Sequence, residues 1–162
     1  MLEQEIASAI KFILKNTENP APYYYSVPQD FMVPAAYFPS PEVVSGGDTL
    51  TTYALDYSWF IKFFHKDTES AYELAHKALT TIKRMRCTIP LIDEAGESTG
   101  RSFRLSDPTL KPLDHAAQLT IRWASRRPYY AVEAQKTKSF EINLHTKRAY
   151  TGAVSQISEM ED

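Results

Sequence analysis

Two long stretches of the chain alternate between large apolar side chains and smaller or polar ones. They cover residues 53–64 and residues 113–124. Their apolar phases are Tyr53, Leu55, Tyr57, Trp59, Ile61 and Phe63 in the first stretch, and Leu113, His115, Ala117, Leu119, Ile121 and Trp123 in the second. Successive side chains of a strand point to opposite faces, so a period of two predicts two half-buried strands. Each would be about twice the usual strand length, which indicates that one sheet dominates the fold.

A period of three to four residues predicts two helices. The first covers residues 3–15, and the second covers residues 69–86 after an N-cap at Asp67 and Thr68. We expect both helices to pack on the apolar face of the sheet. The predicted fold class is therefore α+β, with a single, mostly antiparallel twisted sheet that contains two long strands and carries two helices on one face.

Proline and turn-forming residues fill the segments between these elements. Six of the ten prolines lie in residues 20–41, where we expect extended chain with short edge strands at residues 23–25 and 35–38. A turn is predicted at residues 107–112. Residues 93–100 are polar and acidic, which predicts an exposed loop of the kind that carries contacts.

The C-terminal part of the chain has a weaker pattern. We expect residues 1–148 to form one domain and residues 149–162 to be a disordered acidic tail. Phe140, Ile142 and Leu144 alternate with polar residues and predict a short strand. A helix over residues 129–138 is the alternative for this region.

Composition excludes several broad classes. The 162 residues carry a net charge of −2, which gives no general attraction to nucleic acid or to an anionic membrane. No run of 18 apolar residues is present, and we expect neither a membrane span nor a secretory signal. Cys87 is the only cysteine, so an intramolecular disulfide is impossible and a reducing compartment is expected.

No residue pattern points to catalysis, a cofactor or a metal. The four histidines, His65, His76, His115 and His145, lie outside any HExxH or cysteine-rich pattern, and a structural role is expected for them. Adjacent loop side chains diverge, so Asp93 and Glu94 are not a pair of catalytic carboxylates. Glycine-rich phosphate loops and a nucleophile elbow are also missing. We therefore predict no catalytic, cofactor-binding or metal-binding residues.

Several residues instead predict contacts with a partner. Phe60 and Phe64 lie on the polar phase of the first strand, where apolar surface exceeds what two helices need to cover. A basic and aromatic group follows the second strand, and arginine with tyrosine is typical of protein interfaces and of single-strand nucleic-acid binders. The negative net charge favours the interface. The candidate interface residues are Phe60, Phe64, Asp93, Glu94, Arg122, Arg126, Arg127, Tyr129 and Tyr130.

The order of these elements resembles that of the tail terminator, or tail completion, proteins of long-tailed bacteriophages and prophages. A helix over residues 3–15 precedes a proline-rich passage, which contains Val27-Pro28-Gln29-Asp30-Phe31 and Pro34-Ala35-Ala36-Tyr37-Phe38. The strand that ends Phe60-Ile61-Lys62-Phe63-Phe64 then leads to the second helix. A hairpin follows, with Asp114 just before the last long strand. The resemblance covers roughly residues 1–130.

This resemblance implies a structural virion protein without catalytic residues. Family members form a hexameric ring that caps the tail tube, ends its polymerisation and presents a surface to the head-completion or connector protein. DNA would pass through the ring without being read in sequence. The expected location is the virion, and the bacterial host cytoplasm during assembly. Residues 41–50 and 92–101 are the candidate loops for contacts with the tube or the connector.

Three alternatives remain open at this point. The first alternative is a head–tail adaptor or a tail tube subunit, since these also build rings from compact, strand-rich subunits. The second is a nucleic-acid binding module that uses the region from Arg122 to Tyr130, which predicts binding that weakens steeply with salt. The third is an enzyme of a type that the sequence does not disclose.

Overall fold

The structure is a computed structural model that describes residues 4–130. The expected strand around residues 140–144, its helical alternative beyond residue 130, the end of the domain at residue 148 and the acidic tail 149–162 all lie outside the described residues. The described helices and strands belong to one unit, Met1–Tyr129.

Two helices form where the sequence predicts them. Helix α1 spans Gln4–Asn16 and helix α2 spans Thr68–Arg84. The carboxylate of Asp67 accepts a hydrogen bond of 2.7 Å from the backbone N–H of Ser70, so the predicted N-cap of α2 is confirmed. Each helix buries the side chains along one of its sides. The buried side chains are Ile6, Ser8, Ala9, Ile10 and Ile13 in α1, and Ala71, Leu74, Ala75, Ala78 and Ile82 in α2.

Eight strands complete the described fold. In chain order they are β1 (Ala21–Tyr24), β2 (Ala35–Phe38), β3 (Glu42–Ser45), β4 (Thr52–Phe64), β5 (Thr88–Ile92), β6 (Ser98–Arg104), β7 (Ser106–Leu113) and β8 (Ala116–Pro128). Six of them form the main sheet in the order β1-β2-β4-β8-β7, with β3 paired to β4 beside β2. Strands β5 and β6 form a separate hairpin.

The two long strands are the centre of the sheet. Strands β4 and β8 are each 13 residues long and pair antiparallel along their whole length, from Thr52 opposite Pro128 to Phe64 opposite Ala116. Only the β1–β2 pair of the main sheet is parallel. The predicted fold class, a mostly antiparallel sheet with two long strands and two helices on one face, is confirmed.

The core lies between this sheet and the helices, on what we call the inner face. Its largest fully buried side chains include Tyr57, Trp59 and Phe63 of β4. The Tyr57 ring stacks on Trp123 of β8 at 4.7 Å with 4° between planes. The Trp59 indole N–H donates to the carbonyl of Pro39. Alternate positions of β4 therefore face the core as the periodicity predicts.

Three local predictions were wrong. The turn predicted at residues 107–112 is strand β7, because an edge strand with a bulge tolerates Pro108 and Pro112. Strand β8 starts at Ala116 rather than at residue 113. His115 occupies the preceding turn with φ 51°, so it is exposed and does not face the core. The two expected loops were correct only in part: strand β3 lies within residues 41–50, and of residues 92–101 only 93–97 form the tip of the β5–β6 hairpin, while residue 92 belongs to β5 and 98–101 to β6.

Candidate partner interface

The side of the main sheet away from the helices, the outer face, has an aromatic end. Phe60 and Phe64 project there from β4 and are half-buried. The segment after β1 covers part of this end, since the Phe31 ring lies 5.0 Å from the Phe64 ring and 6.2 Å from that of Tyr23. The surplus apolar surface predicted at Phe64 is therefore partly covered by the chain itself. Within residues 4–130 no aromatic ring packs against that of Phe60, which is therefore the more available of the two.

The other end of the outer face is polar and charged. Arg122 and Arg126 of β8 are both exposed there. Arg126 Nη1 donates to Thr52 Oγ1 at 3.1 Å, while Arg122 lies opposite Ser58 of β4. Asp56 lies opposite Ala124, between the two arginines in register, and is exposed. This end can therefore bind a polar partner surface with charges of both signs.

Arg127 belongs to the inner face, although the sequence groups it with Arg126. Its Nη2 donates to the Tyr57 hydroxyl at 3.1 Å and lies 3.8 Å from a carboxylate oxygen of Glu5 in α1. Ser125 Oγ donates to the other Glu5 oxygen at 2.6 Å. These four residues join the end of β8 to the first turn of α1. The sequence missed this network because its members are separated by up to 122 positions, and period-two alternation alone would have put Arg127 and Arg126 on opposite faces.

Tyr129 and Tyr130 differ in their surroundings. The Tyr129 ring lies 5.4 Å from that of Tyr53, and its backbone N–H donates to Thr51 at 3.0 Å. Partial desolvation raises the pKa of Tyr129, and a hydrogen bond to the negative Asp48 carboxylate raises it further. Tyr130 is 98% exposed. The arginines and tyrosines of this region therefore do not form one continuous stacking surface on the sheet.

Asp93 and Glu94 lie at the tip of the β5–β6 hairpin. Asp93 closes the turn, since its carboxylate and its backbone N–H both bond to the backbone of Glu97 at 2.8 Å. Glu94 is exposed. The tip is held against α1, because Ile92 N–H donates to Ser8 Oγ at 3.0 Å and Lys11 donates to the carbonyl of Gly96. Hydrogen bonds therefore fix the position of this exposed pair of acids at the hairpin tip.

An apolar groove of about 250 Å³ opens between α1 and β3. Its lining includes Ile6 and Ile10 of α1, Val43 of β3, and Tyr57 and Trp59 of β4. Val43 is on the inner phase of β3, opposite Tyr57, and is nevertheless 46% exposed. Local sequence patterns do not predict this groove, because it forms where β1 ends beside β2 and where, among residues 4–130, β3 has a strand on one side only.

Across residues 4–130, no group of three or more His, Cys, Asp or Glu side chains is arranged to hold a metal ion. None of the helices in the same range has the length and hydropathy needed to cross a membrane.

Comparison with known proteins places the chain in a family. No protein-family model matches it. Two Bacillus subtilis (strain 168) proteins do match, each over its entire length and over 90% of this chain. The uncharacterized protein YqbJ is 32% identical over 146 residues, and the phage-like element PBSX protein XkdJ is 32% identical over 147 residues. The chain belongs to the family of YqbJ and XkdJ. The matches to YqbJ and XkdJ leave about a tenth of this chain uncovered. Many more residues than that lie in helices α1 and α2 and strands β4 and β8, so most of this framework is within the matched region.

Proposed function

We propose that this protein is a structural protein of a prophage virion, and specifically the terminator of its tail. The observation that carries the proposal is the relationship to XkdJ, whose name assigns that relative to a phage-like element. The finer role comes from the resemblance in element order to tail terminators. The proposed role is assembly, and no catalysis is part of it.

The arrangement of surfaces supports a subunit of a ring. A closed ring needs two different surfaces on each copy that are complementary to each other. Within residues 4–130 the helices cover the inner face of the sheet, which leaves the outer face and the edge of β3 for contacts. In our proposal six copies surround a channel through which DNA passes without sequence-specific contacts. The ring forms in the host cytoplasm and stays in the virion.

Termination requires two unlike sides of the ring. One side must bind the last ring of tail tube protein, and the other must bind the head-completion or connector protein instead of another tube ring. The proposed axial contacts are the hairpin tip with Asp93 and Glu94 and the segment 41–50, which contains β3 and the start of the loop after it. The outer face, with Phe60, Arg122 and Arg126, is the proposed surface for a neighbouring subunit or for the tube.

The direct test is to mix the purified protein with tail tubes from the same prophage and image them by negative stain. A terminator caps one end of each tube and stops further growth when free tube protein is added. Arg122→Glu on the outer face should weaken capping. Glu73→Arg, an exposed change on α2, is the matched control and should leave capping intact. Failure of the wild type to bind either tube end contradicts the proposal.

The same experiment separates the related virion roles. A tail tube subunit would polymerise by itself or lengthen the tubes, and a head–tail adaptor would bind the connector but neither end of a tube. Each result is visible in the same images and replaces the terminator assignment.

A nucleic-acid binding module is favoured by one observation, the exposure of Arg122 and Arg126 on the same face of β8. Arg127 faces the core side and is engaged with Glu5 and Tyr57, so it adds nothing to that surface. Binding through phosphates would weaken steeply as salt rises. A filter assay that retains no single-stranded DNA at low salt removes this alternative.

A further inference from the structure

Two outer edges of the main sheet are closed to further strands. In β1, the N–H of Ala21 points toward β2 and donates to Pro34, so the next backbone nitrogen, that of Pro22, faces outward without a hydrogen. In β7, Pro108 and Pro112 remove two more donors from the opposite edge. Proline on an edge strand prevents pairing with another chain. These two edges are therefore protected.

Strand β3 has an open edge. It contains no proline, all four of its residues are exposed, and within residues 4–130 it pairs only with β4. Strands β2 and β3 both pair antiparallel with β4, one after the other along its length, and the chain between them contains Pro39 and Pro41. Strand β1 accompanies β2 but ends before Tyr25, which has φ 63°. Among residues 4–130, no strand therefore lies beside β3 on the side away from β4, and a sheet whose strands lie ~4.8 Å apart has room there for a short strand.

The vacant position has an apolar floor. The groove lined by Ile6, Ile10 and Val43 lies on the inner side of β3. A strand added beside β3 would cover the exposed part of Val43 and close the groove. Apolar burial would therefore add to the hydrogen bonds of the new pair.

Strand β6 has the second open edge. It contains no proline, and among the described residues it pairs only with β5. The exposed side chains of Arg101 and Arg104 have no ion-pair partner within residues 4–130.

The charges of the two open edges are opposite. Glu42 of β3 and the adjacent Asp56 of β4 are exposed, and no ion pair involves either within the described range. Two β6 edges would bring arginines together, and two β3 edges would bring carboxylates together. A β3–β6 pair places opposite charges next to each other, and opposite-charge pairs stabilise neighbouring strands while like charges oppose pairing.

We propose that β3 of one copy pairs with β6 of a second copy, so that the hairpin of each subunit extends the main sheet of its neighbour. This inference rests on the proposed ring. Each copy offers one β3 and one β6 at different places, so the contact is head-to-tail and closes into a ring when the rotation allows. An unrelated strand of the tube protein in the same position is the competing occupant, and it is an outcome of the test below.

Charge exchange tests the pairing. Glu42→Arg and Arg101→Glu should each weaken self-association about tenfold or more, measured by sedimentation or, for rings that form only on tubes, by cross-linking on capped tubes. A mixture of the two variants should restore association, because copies that alternate around the ring place opposite charges at every contact. Glu73→Arg is the control and should change nothing.

Cysteine cross-linking gives the position of the contact. In a Cys87→Ser background, Val44→Cys and Ser102→Cys should form a disulfide between two chains when the variants are mixed, visible as a dimer on a non-reducing gel. Replacing Ser102→Cys by Thr80→Cys, on the partly exposed side of α2, should abolish the cross-link.

The outcomes distinguish this inference from the proposed function. Normal capping with no effect of either charge variant overturns the pairing and leaves the terminator role intact. Restored association in the mixture without capping of tubes supports the pairing and contradicts the terminator role. A wild type that never self-associates, in solution or on tubes, overturns the pairing, as does a cross-link from Val44→Cys to tube protein instead of to a second copy.

Discussion

The two faces of the same long strands differ in what determines their residues. On the inner face, Tyr57, Trp59 and Trp123 pack ring against ring and are almost completely buried. On the outer face, Phe60 is half-buried, while Arg122 and Arg126 are exposed. The inner face is thus specified by packing within the chain. The outer face is specified by solvent and, in our proposal, by other subunits, so changes on the two faces should affect different properties.

The largest expected effect is the replacement of Trp59 by alanine. It removes a side chain that is 1% exposed and leaves a cavity between β4 and α1. We expect the free energy of unfolding to fall by about 3–5 kcal/mol. Phe60→Ala, one residue along the same strand, should cost about 1 kcal/mol or less because its side chain is only half-buried. Urea unfolding with unchanged m-values measures both.

Capping of tail tubes should show the reverse order at temperatures where both variants are folded. Phe60→Ala should weaken capping, and Trp59→Ala should not. Similar destabilisation by the two variants would mean that the outer face is also packed from within, and the distinction between the faces would fail.

The outer and inner faces can also be compared at two adjacent arginines, Arg126 on the outer face and Arg127 on the inner face. Arg127→Gln loses contacts with Tyr57 and Glu5 on the inner face, and hydrogen bonds to charged groups contribute about 1.5–3 kcal/mol. Arg126→Gln loses one exposed bond to Thr52, so its effect should stay within about 0.5 kcal/mol. Thermal unfolding at low and high salt measures the difference.

A double-mutant cycle of Arg127→Gln with Glu5→Gln identifies the partner of Arg127. The two changes should be less than additive, since the residues are in one network. Strict additivity would mean that the 3.8 Å approach between Arg127 and Glu5 contributes nothing to stability.

The same contrast explains how far the sequence predicts this molecule. Burial imposes strict periods, so α1, α2, β4 and the core half of β8 follow from spacing alone. Strand β7 was mistaken for a turn because the prolines that end most strands are allowed at an edge. Strand β3 was missed because its four exposed residues have no periodic burial, and among residues 4–130 it pairs only with β4.

The candidate interface was predictable only in part. Phe60 stands out in the sequence because an aromatic side chain on the polar phase breaks the pattern, and its place in an interface stays a prediction. Arg127 was misassigned because proximity in sequence was used where strand alternation should decide. The groove beside β3 depends on where β1 leaves the sheet at Tyr25, and no local sequence rule contains that information.

A smaller effect on stability, which depends on pH, is expected at Asp67, the N-cap of helix α2. The backbone N–H of Ser70, and then its hydroxyl, hold the pKa of Asp67 below its ordinary value of 3.8. A lowered folded-state pKa adds stability above the unfolded pKa, and that stability is lost as the pH falls through the folded value. Wild type should therefore melt a few degrees higher than Asp67→Asn near neutral pH, and this gap should close below about pH 4. A gap that stays constant with pH would contradict a role for the charge.

The smallest effect is expected where the inner face ends, at the ring pair of Tyr53 and Tyr129. The pKa of Tyr129 lies above its ordinary value of 10.0, first because of desolvation and then because of the Asp48 carboxylate. Asp48→Asn removes only the second cause, so the Tyr129 pKa should move toward 10.0 without reaching it. Ultraviolet titration of each protein, minus that of the same protein with Tyr129→Phe, isolates this one phenol among ten tyrosines. Identical titration of Tyr129 with and without the Asp48 carboxylate would mean that desolvation alone sets its pKa, and the packed inner face would then extend to the end of β8.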